Sequence, residues 1–253
     1  MPDAVTYGLV GLIVCFTAFQ EGVTGFGATV LALPFVTLLL GDITIAVPAL
    51  VMQAWILALL IVLEARKHIV WREYFHIALL VGLGLPFGIW MRHAINPYYL
   101  KWILAGFMIV VGTQGLIRLL IGKPHSKMSA AKKAFTSSFL PLGGIIHGAF
   151  GTGGPLVVIY ATRAITDKLL FRVTMCMMWF TMNTILTTQF LLGKGPHIEV
   201  FKIVGICLPF TLVGLFIGNK AHYRINEQAF RKVVYSVLIA SGLVLVCNLV
   251  GLI

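Results

Sequence analysis

The sequence predicts an all-α polytopic membrane protein of two inverted repeats, each a re-entrant or broken helical hairpin followed by three transmembrane helices. Three observations lead there: the composition, the long uncharged runs, and a recurrence of glycine motifs between the two halves. Of 253 residues, 59% are hydrophobic and 11% are charged, whereas a soluble domain carries about 25% charged residues. A soluble surface this poor in charge would not be wetted, so an ordinary globular enzyme is excluded. Runs such as Ala4–Gln20, Ala46–Leu63 and Val233–Ile253 carry no charge and approach or reach the ~20 residues that cross a hydrocarbon core. Ten-residue alternating strands are absent, so the spans are helices rather than barrel strands.

The first element covers residues 4–40, which are apolar but interrupted by Glu21-Gly22-Val23-Thr24-Gly25-Phe26-Gly27. As one helix this stretch would run ~55 Å, too long for a single span. Split at the glycines, it gives pieces mostly too short to cross alone. The predicted form is a hairpin, whose irregular backbone is tolerated at membrane depth only beside protein or water. Crossings follow at 43–63, 74–91 and 99–121, closing a first repeat over 1–121. A basic linker with Pro and Ser occupies 122–133. The second repeat, 134–253, opens on another broken stretch, 134–164, interrupted by His147-Gly148-Ala149-Phe150-Gly151-Thr152-Gly153-Gly154-Pro155, and crosses at 169–193, 198–218 and 229–251.

The 19 Lys and Arg against 8 Asp and Glu decide how the broken stretches fold. If each is a single crossing, the basic residues divide 10 against 9, which is no bias. If each is a hairpin, only Arg92, Lys101, Lys194 and Lys202 fall on one side and the other 15 on the opposite one. The positive-inside rule then favours hairpins, with the basic loops cytoplasmic and both termini outside a cell membrane. The excess charge is thus a topology signal rather than a nucleic-acid surface. Met1-Pro2-Asp3 lacks a basic n-region, so no cleaved signal peptide is expected. Cys15, Cys176, Cys207 and Cys247 have no CxxC spacing and read as buried small hydrophobes.

Glu21-Gly22-x-x-Gly25-x-Gly27 overlies His147-Gly148-x-x-Gly151-x-Gly153 at an offset of 126, and Gly84/Gly88 overlie Gly214/Gly218 at 130. A hairpin plus three crossings turns the second copy upside down. Inverted repeats with broken helices place a transporter's site near the midplane, between the repeats.

Candidate binding residues follow from that geometry. Glycines let backbone N–H groups approach a ligand, and helix starts after each turn present partial positive charge to an anion. Gly22, Thr24, Gly25 and Gly27 in the first turn, and Gly148, Gly151, Thr152, Gly153 and Gly154 in the second, are the expected substrate contacts. Gln53 and Asn183, also 130 apart, either bind substrate oxygens or tie helices together. Glu21 and His147, at mirrored positions, read either as a coupling or gating pair or as caps for the turns. The Gly84/Gly88 and Gly214/Gly218 pairs suggest close helix contacts. Met175-Cys176-Met177-Met178 reads as core, and no nucleophile–base set, HExxH or P-loop supports an enzyme or a metal site.

The two glycine-rich turns in related halves, with Gly214-x-x-x-Gly218 before a polar loop and final helix, resemble the TauE/SafE family of sulfite and organosulfonate exporters. The resemblance implies secondary transport of a small sulfur-containing anion such as sulfite, sulfoacetate or another short sulfonate. The expected partners are that anion, the bilayer and a coupling proton or other ion, with a homodimer left open; no cofactor, catalytic residue, metal or nucleic acid is expected. The competing readings are a carrier for another small anion, such as a carboxylate, and a non-transporting scaffold or sensor. A scaffold gives no reason to place Glu21 and His147 at mirrored breaks.

Overall fold

The computed structural model describes residues 4–121, 135–193, 198–222, 224 and 227–251. Among them all regular structure is helical: α1 (Ala4–Thr24), α2 (Ala28–Leu40), α3 (Ile43–Ala65), α4 (Trp71–Ala94) and α5 (Pro97–Ile121), then α6 (Phe139–Phe150), α7 (Gly154–Ala164), α8 (Lys168–Leu192), α9 (Ile198–His222) and α10 (Glu227–Leu249). The expected crossings coincide with α3, α4, α5, α8, α9 and α10 to within a few residues. The linker expected at 122–133 lies outside the described residues.

Local chemistry sets the joints. Gly41, at φ 71°, ends α2, and Asp42 then caps α3 by accepting the Thr44 N–H at 2.7 Å. Asp167 caps α8 in the same way, accepting from Leu170 N at 2.9 Å. Each side chain satisfies one N–H that the first helical turn leaves without a partner. The second broken stretch folds back on itself: a Cβ on Gly143 of α6 would lie 2.9 Å from Val157 Cγ2 of α7.

The first stretch departs from expectation in one respect. The helix runs on through Glu21-Gly22-Val23-Thr24, so α1 has 21 residues and is itself long enough to cross. Glycine at position 22 costs only about 1 kcal/mol inside a helix, which packing offsets. Likewise α6 continues through His147 and Gly148. The breaks are therefore Gly25–Gly27 and Gly151–Gly153, shorter than the sequence motifs.

The halves interlock rather than sit side by side. Helix α1 packs along α9, α6 along α4, α3 across α8, and α5 along α10, so each of these pairings joins one half to the other. Their closest approaches repeat with the halves exchanged. A Cβ on Gly84 would meet Pro141 O at 2.0 Å and one on Gly88 would meet Ile145 O at 2.0 Å; the equivalents at Gly214 and Gly218 would meet Cys15 O at 2.2 Å and Phe19 O at 2.5 Å. Gly112 lies against Ile239, and Gly242 against Ile109. Small residues let these backbones touch where lipid supplies no hydrophobic drive for association. Large apolar side chains such as Leu79, Leu83 and Phe216 remain exposed on the outside, as suits a surface solvated by lipid. Six of the described helices, α1, α3, α4, α5, α8 and α9, are long and apolar enough to cross a membrane.

Candidate functional site

Both turns are built by a residue one helical turn before the break. In the first, Gly25 (φ 81°) donates to Glu21 O at 2.7 Å and so ends α1. The Glu21 carboxylate then crosses the turn and accepts the Ala28 N–H at 2.9 Å, capping α2. Gln20 Nε2 donates to Phe26 O at 2.7 Å and to Thr24 Oγ1 at 3.0 Å. This turn is closed by its own side chains.

In the second, Gly151 (φ 69°) donates to His147 O at 2.7 Å. The Gly153 N–H donates to His147 Nδ1 at 3.3 Å, at the start of α7. Accepting at Nδ1 assigns the proton of the neutral ring to Nε2. The free nitrogen of His147 is thus a donor. Glu21 and His147 both have the capping geometry, one with a carboxylate and one with an imidazole.

The turns meet at a small cavity, level with the middles of α3 and α8. Glu21, Gly27, Thr29, Val30 and Ala54 line it from the first half, and His147, Gly151, Thr152, Gly154, Trp179 and Asn183 from the second. No Lys or Arg is among them. Four buried polar atoms in this lining have no hydrogen-bond partner: His147 Nε2, Thr152 Oγ1, Trp179 Nε1 and Asn183 Oδ1. Asn183 interacts with His147, but these two atoms do not meet in hydrogen-bond geometry. The Trp179 and His147 rings stand 5.2 Å apart. Leaving a buried polar group unpaired costs about 1–3 kcal/mol, so a ligand able to pair with these atoms would be stabilised there.

The expected site residues divide. Gly27, Gly151, Thr152, Gly154 and Asn183 line the cavity, as do Glu21 and His147. Gly22 lies against Gly218, and a Cβ on Gly148 would sit 2.4 Å from Leu85 O, so both are helix contacts. Gly25 rests on Arg172, and Gly153 on Gly143 O across its own hairpin. Thr24 bonds within its turn. Gln53, the counterpart of Asn183, is already satisfied: it donates to Val204 O at 2.7 Å and accepts from Thr211 at 2.8 Å, tying α3 to α9. It borders a second small cavity with Thr17, Thr29 and Thr211.

Trp179 escaped the sequence reading. Its signal was available: Trp71, Trp90 and Trp102 stand near span ends, where an aromatic belt belongs, whereas Trp179, like Trp55, is deep within a span. Met175, Cys176 and Met178 are fully buried in the core. Among the described residues, no three or more His, Cys, Asp or Glu side chains gather as a metal site would require.

Comparison with known proteins agrees with this architecture. A family model described as sulfite exporter TauE/SafE matches residues 10–245. The chain is 24% identical over 190 residues to a protein of Comamonas testosteroni named "Probable inner membrane transporter protein TsaS", covering 72% of this chain and 75% of that one. No solved structure matches.

Proposed function

The chain belongs to the sulfite exporter TauE/SafE family of membrane transporters, and from that premise we propose that it is a secondary-active permease for a small sulfur oxyanion, such as sulfite, sulfoacetate or another short sulfonate. The observation that carries the reading is the set of unpartnered polar atoms in a cavity without a single cationic side chain. Trp179 Nε1–H, Thr152 O–H and His147 Nε2–H are three neutral donors from three different segments, and Asn183 supplies an amide beside them. A sulfonate offers three acceptor oxygens and one delocalised charge, which three neutral donors match. A carboxylate holds its acceptor sites in one plane, whereas the three oxygens of a sulfonate point in three directions, so a carboxylate is expected to bind more weakly.

The neutrality of the site suits a carrier. A buried Lys or Arg would hold an anion through a charge-assisted bond about twice as strong as a neutral one, and slow its release. Access would alternate by rocking of the two halves about the cavity between them, as inverted-repeat carriers do. Glu21 faces the same cavity. As a carboxylate it opposes an incoming anion; as a neutral acid it does not, which makes it the candidate for coupling transport to a proton. Its cap on Ala28 would report that change to α2. Basic loops on the cytoplasmic side and both termini outside complete the proposed topology.

The test is uptake of labelled sulfite and sulfoacetate into proteoliposomes, beside a thermal-shift screen of sulfite, sulfoacetate, taurine, sulfate and acetate at two pH values. Sulfur oxyanions are expected to be transported and to raise the melting temperature more than acetate. Trp179→Phe, which removes one N–H and keeps a ring, is expected to weaken binding about tenfold, the equivalent of ~1.4 kcal/mol. Absence of both transport and thermal shift with every sulfur oxyanion would sink the reading in favour of another substrate or a non-transporting role.

A further inference from the structure

Beyond the cavity, one buried cation lacks a carboxylate partner. Arg172, on the first turns of α8, is 4% exposed. Its Nη2 donates to Asn219 Oδ1 of α9, while Nε is buried and unpartnered. Asn219 Nδ2 in turn donates to Glu64 Oε2 at the end of α3, at 2.6 Å. A neutral amide is thus interposed between a guanidinium and a carboxylate that would otherwise pair. The bridge crosses between the halves, since Glu64 belongs to the first and Arg172 and Asn219 to the second.

The first glycine turn sits directly on this bridge. A Cβ on Gly25 would lie 2.7 Å from Arg172 Cα, and Gly25 O takes a contact from Cys176 Sγ at 3.7 Å. Arg172, Cys176, Trp179 and Asn183 are all buried and spaced so as to share one face of α8. That face leads from the bridge to the cavity, where Trp179 and Asn183 carry unpartnered atoms. The turn at Gly25–Gly27 covers its first part and forms the cavity wall at Gly27.

We propose that the Arg172–Asn219–Glu64 bridge is the gate of the cavity at the end of the molecule where α3 and α9 finish and α8 begins, and that an oxyanion opens it by displacing Asn219 from the Arg172 guanidinium. This rests on the reading of the cavity as an anion site. The physical reason is the mismatch in strength. A guanidinium binds an oxyanion through charge-assisted, two-pronged bonds that a neutral amide oxygen does not equal. A direct Arg172–Glu64 pair would resist such exchange; the interposed amide permits it. Arg66, Lys67, Lys168 and Lys220 lie in the segments that finish or begin at this end, so anions are drawn towards it.

Cys176 is a native reporter, because it is fully buried behind Arg172 and under Gly25. The experiment follows maleimide labelling of each cysteine in the purified chain by peptide mass spectrometry, with and without methanesulfonate. Asn219→Ala combined with Glu64→Ala, which leaves Arg172 neither the amide nor the carboxylate, is expected to speed labelling of Cys176 about tenfold without any anion, leaving the buried Cys207 of α9 protected. Methanesulfonate is expected to speed Cys176 labelling in the unaltered protein and to have no effect in Arg172→Gln. Slow Cys176 labelling in the double variant overturns the gate, as does a joint rise at Cys176 and Cys207, which would mean general loosening. Fast labelling in the double variant with no response of the unaltered protein to methanesulfonate overturns the anion trigger. A gate that responds to methanesulfonate while Trp179→Phe and Thr152→Val leave transport intact would instead refute the cavity reading and uphold the gate.

Discussion

The two glycine turns occupy equivalent places in the fold and differ in what they leave unsatisfied. Both end a helix on a left-handed glycine, and both are bridged by the residue four positions earlier. The first is bridged by a carboxylate and completed by Gln20 and Thr24, so its hydroxyl and the N–H of Ala28 are all engaged. The second is bridged by one nitrogen of His147, and its other nitrogen and the Thr152 hydroxyl point at a cavity with no partner. Two similar turns therefore carry unequal chemistry: the first is acidic and leaves an acceptor, Gln20 Oε1, without a partner, while the second leaves donors facing the cavity. In a carrier, that division would separate the group that senses charge from the groups that hold the anion.

The most drastic way to break the comparison removes what the turns share. Gly88→Val and Gly218→Val would each drive side-chain carbon into the backbone of the partner helix, at Ile145 O and Phe19 O. Both variants are expected to lose the folded protein, as judged by monodisperse elution after purification. If one half tolerates the change, the mirrored packing is not equally important to both.

Glu21→Gln tests the charge at the first turn. The amide oxygen still accepts from Ala28, so folding is expected to persist with a melting temperature within a few degrees. Binding of a sulfonate is expected to lose most of its pH dependence, measured by thermal shift at two pH values. Retention of the full pH dependence would remove Glu21 from any coupling role.

Thr24→Val and Thr152→Val compare the turns most directly. Thr24 lies 3.0 Å from both Gln20 O and Phe26 O, so losing its hydroxyl should destabilise the protein by about 1 kcal/mol and spare affinity. Thr152 has no partner, so its valine variant should leave the empty protein as stable or slightly more so, while weakening anion binding several-fold. Opposite outcomes would reverse the assignment of the two turns. The smallest effect is expected at Thr187, whose buried hydroxyl is also unpartnered but lines neither described cavity. Thr187→Val should change stability by less than about 1 kcal/mol and transport not at all.

The spans are legible in the sequence because their length follows from bilayer thickness, which acts on local stretches of chain. The glycine recurrence at Gly84/Gly88 and Gly214/Gly218 is legible for the same reason: a backbone contact demands small residues at fixed spacing wherever it occurs. The exact breaks are less so. Glu21-Gly22-Val23-Thr24 reads as a turn, yet a helix packed against α9 tolerates Gly22, since the contact with Gly218 outweighs its low helix propensity. The site is legible only in part. Gln53 and Asn183 are amides at matching positions, and only the contacts of Gln53 with Val204 O and Thr211 set it apart from Asn183, whose Oδ1 has no partner.

By itself, then, the sequence determined that this chain is helical and spans a membrane many times, because apolar length is a property of neighbouring residues. Tertiary structure alone decided which polar groups are spent on the fold and which are left facing the cavity. Trp179, Thr152 and His147 come from segments separated by up to 32 positions, and Glu21 from the other half. Whether a buried donor already has an acceptor is a matter of what lies across the packed interface, and that is set by how the halves interlock.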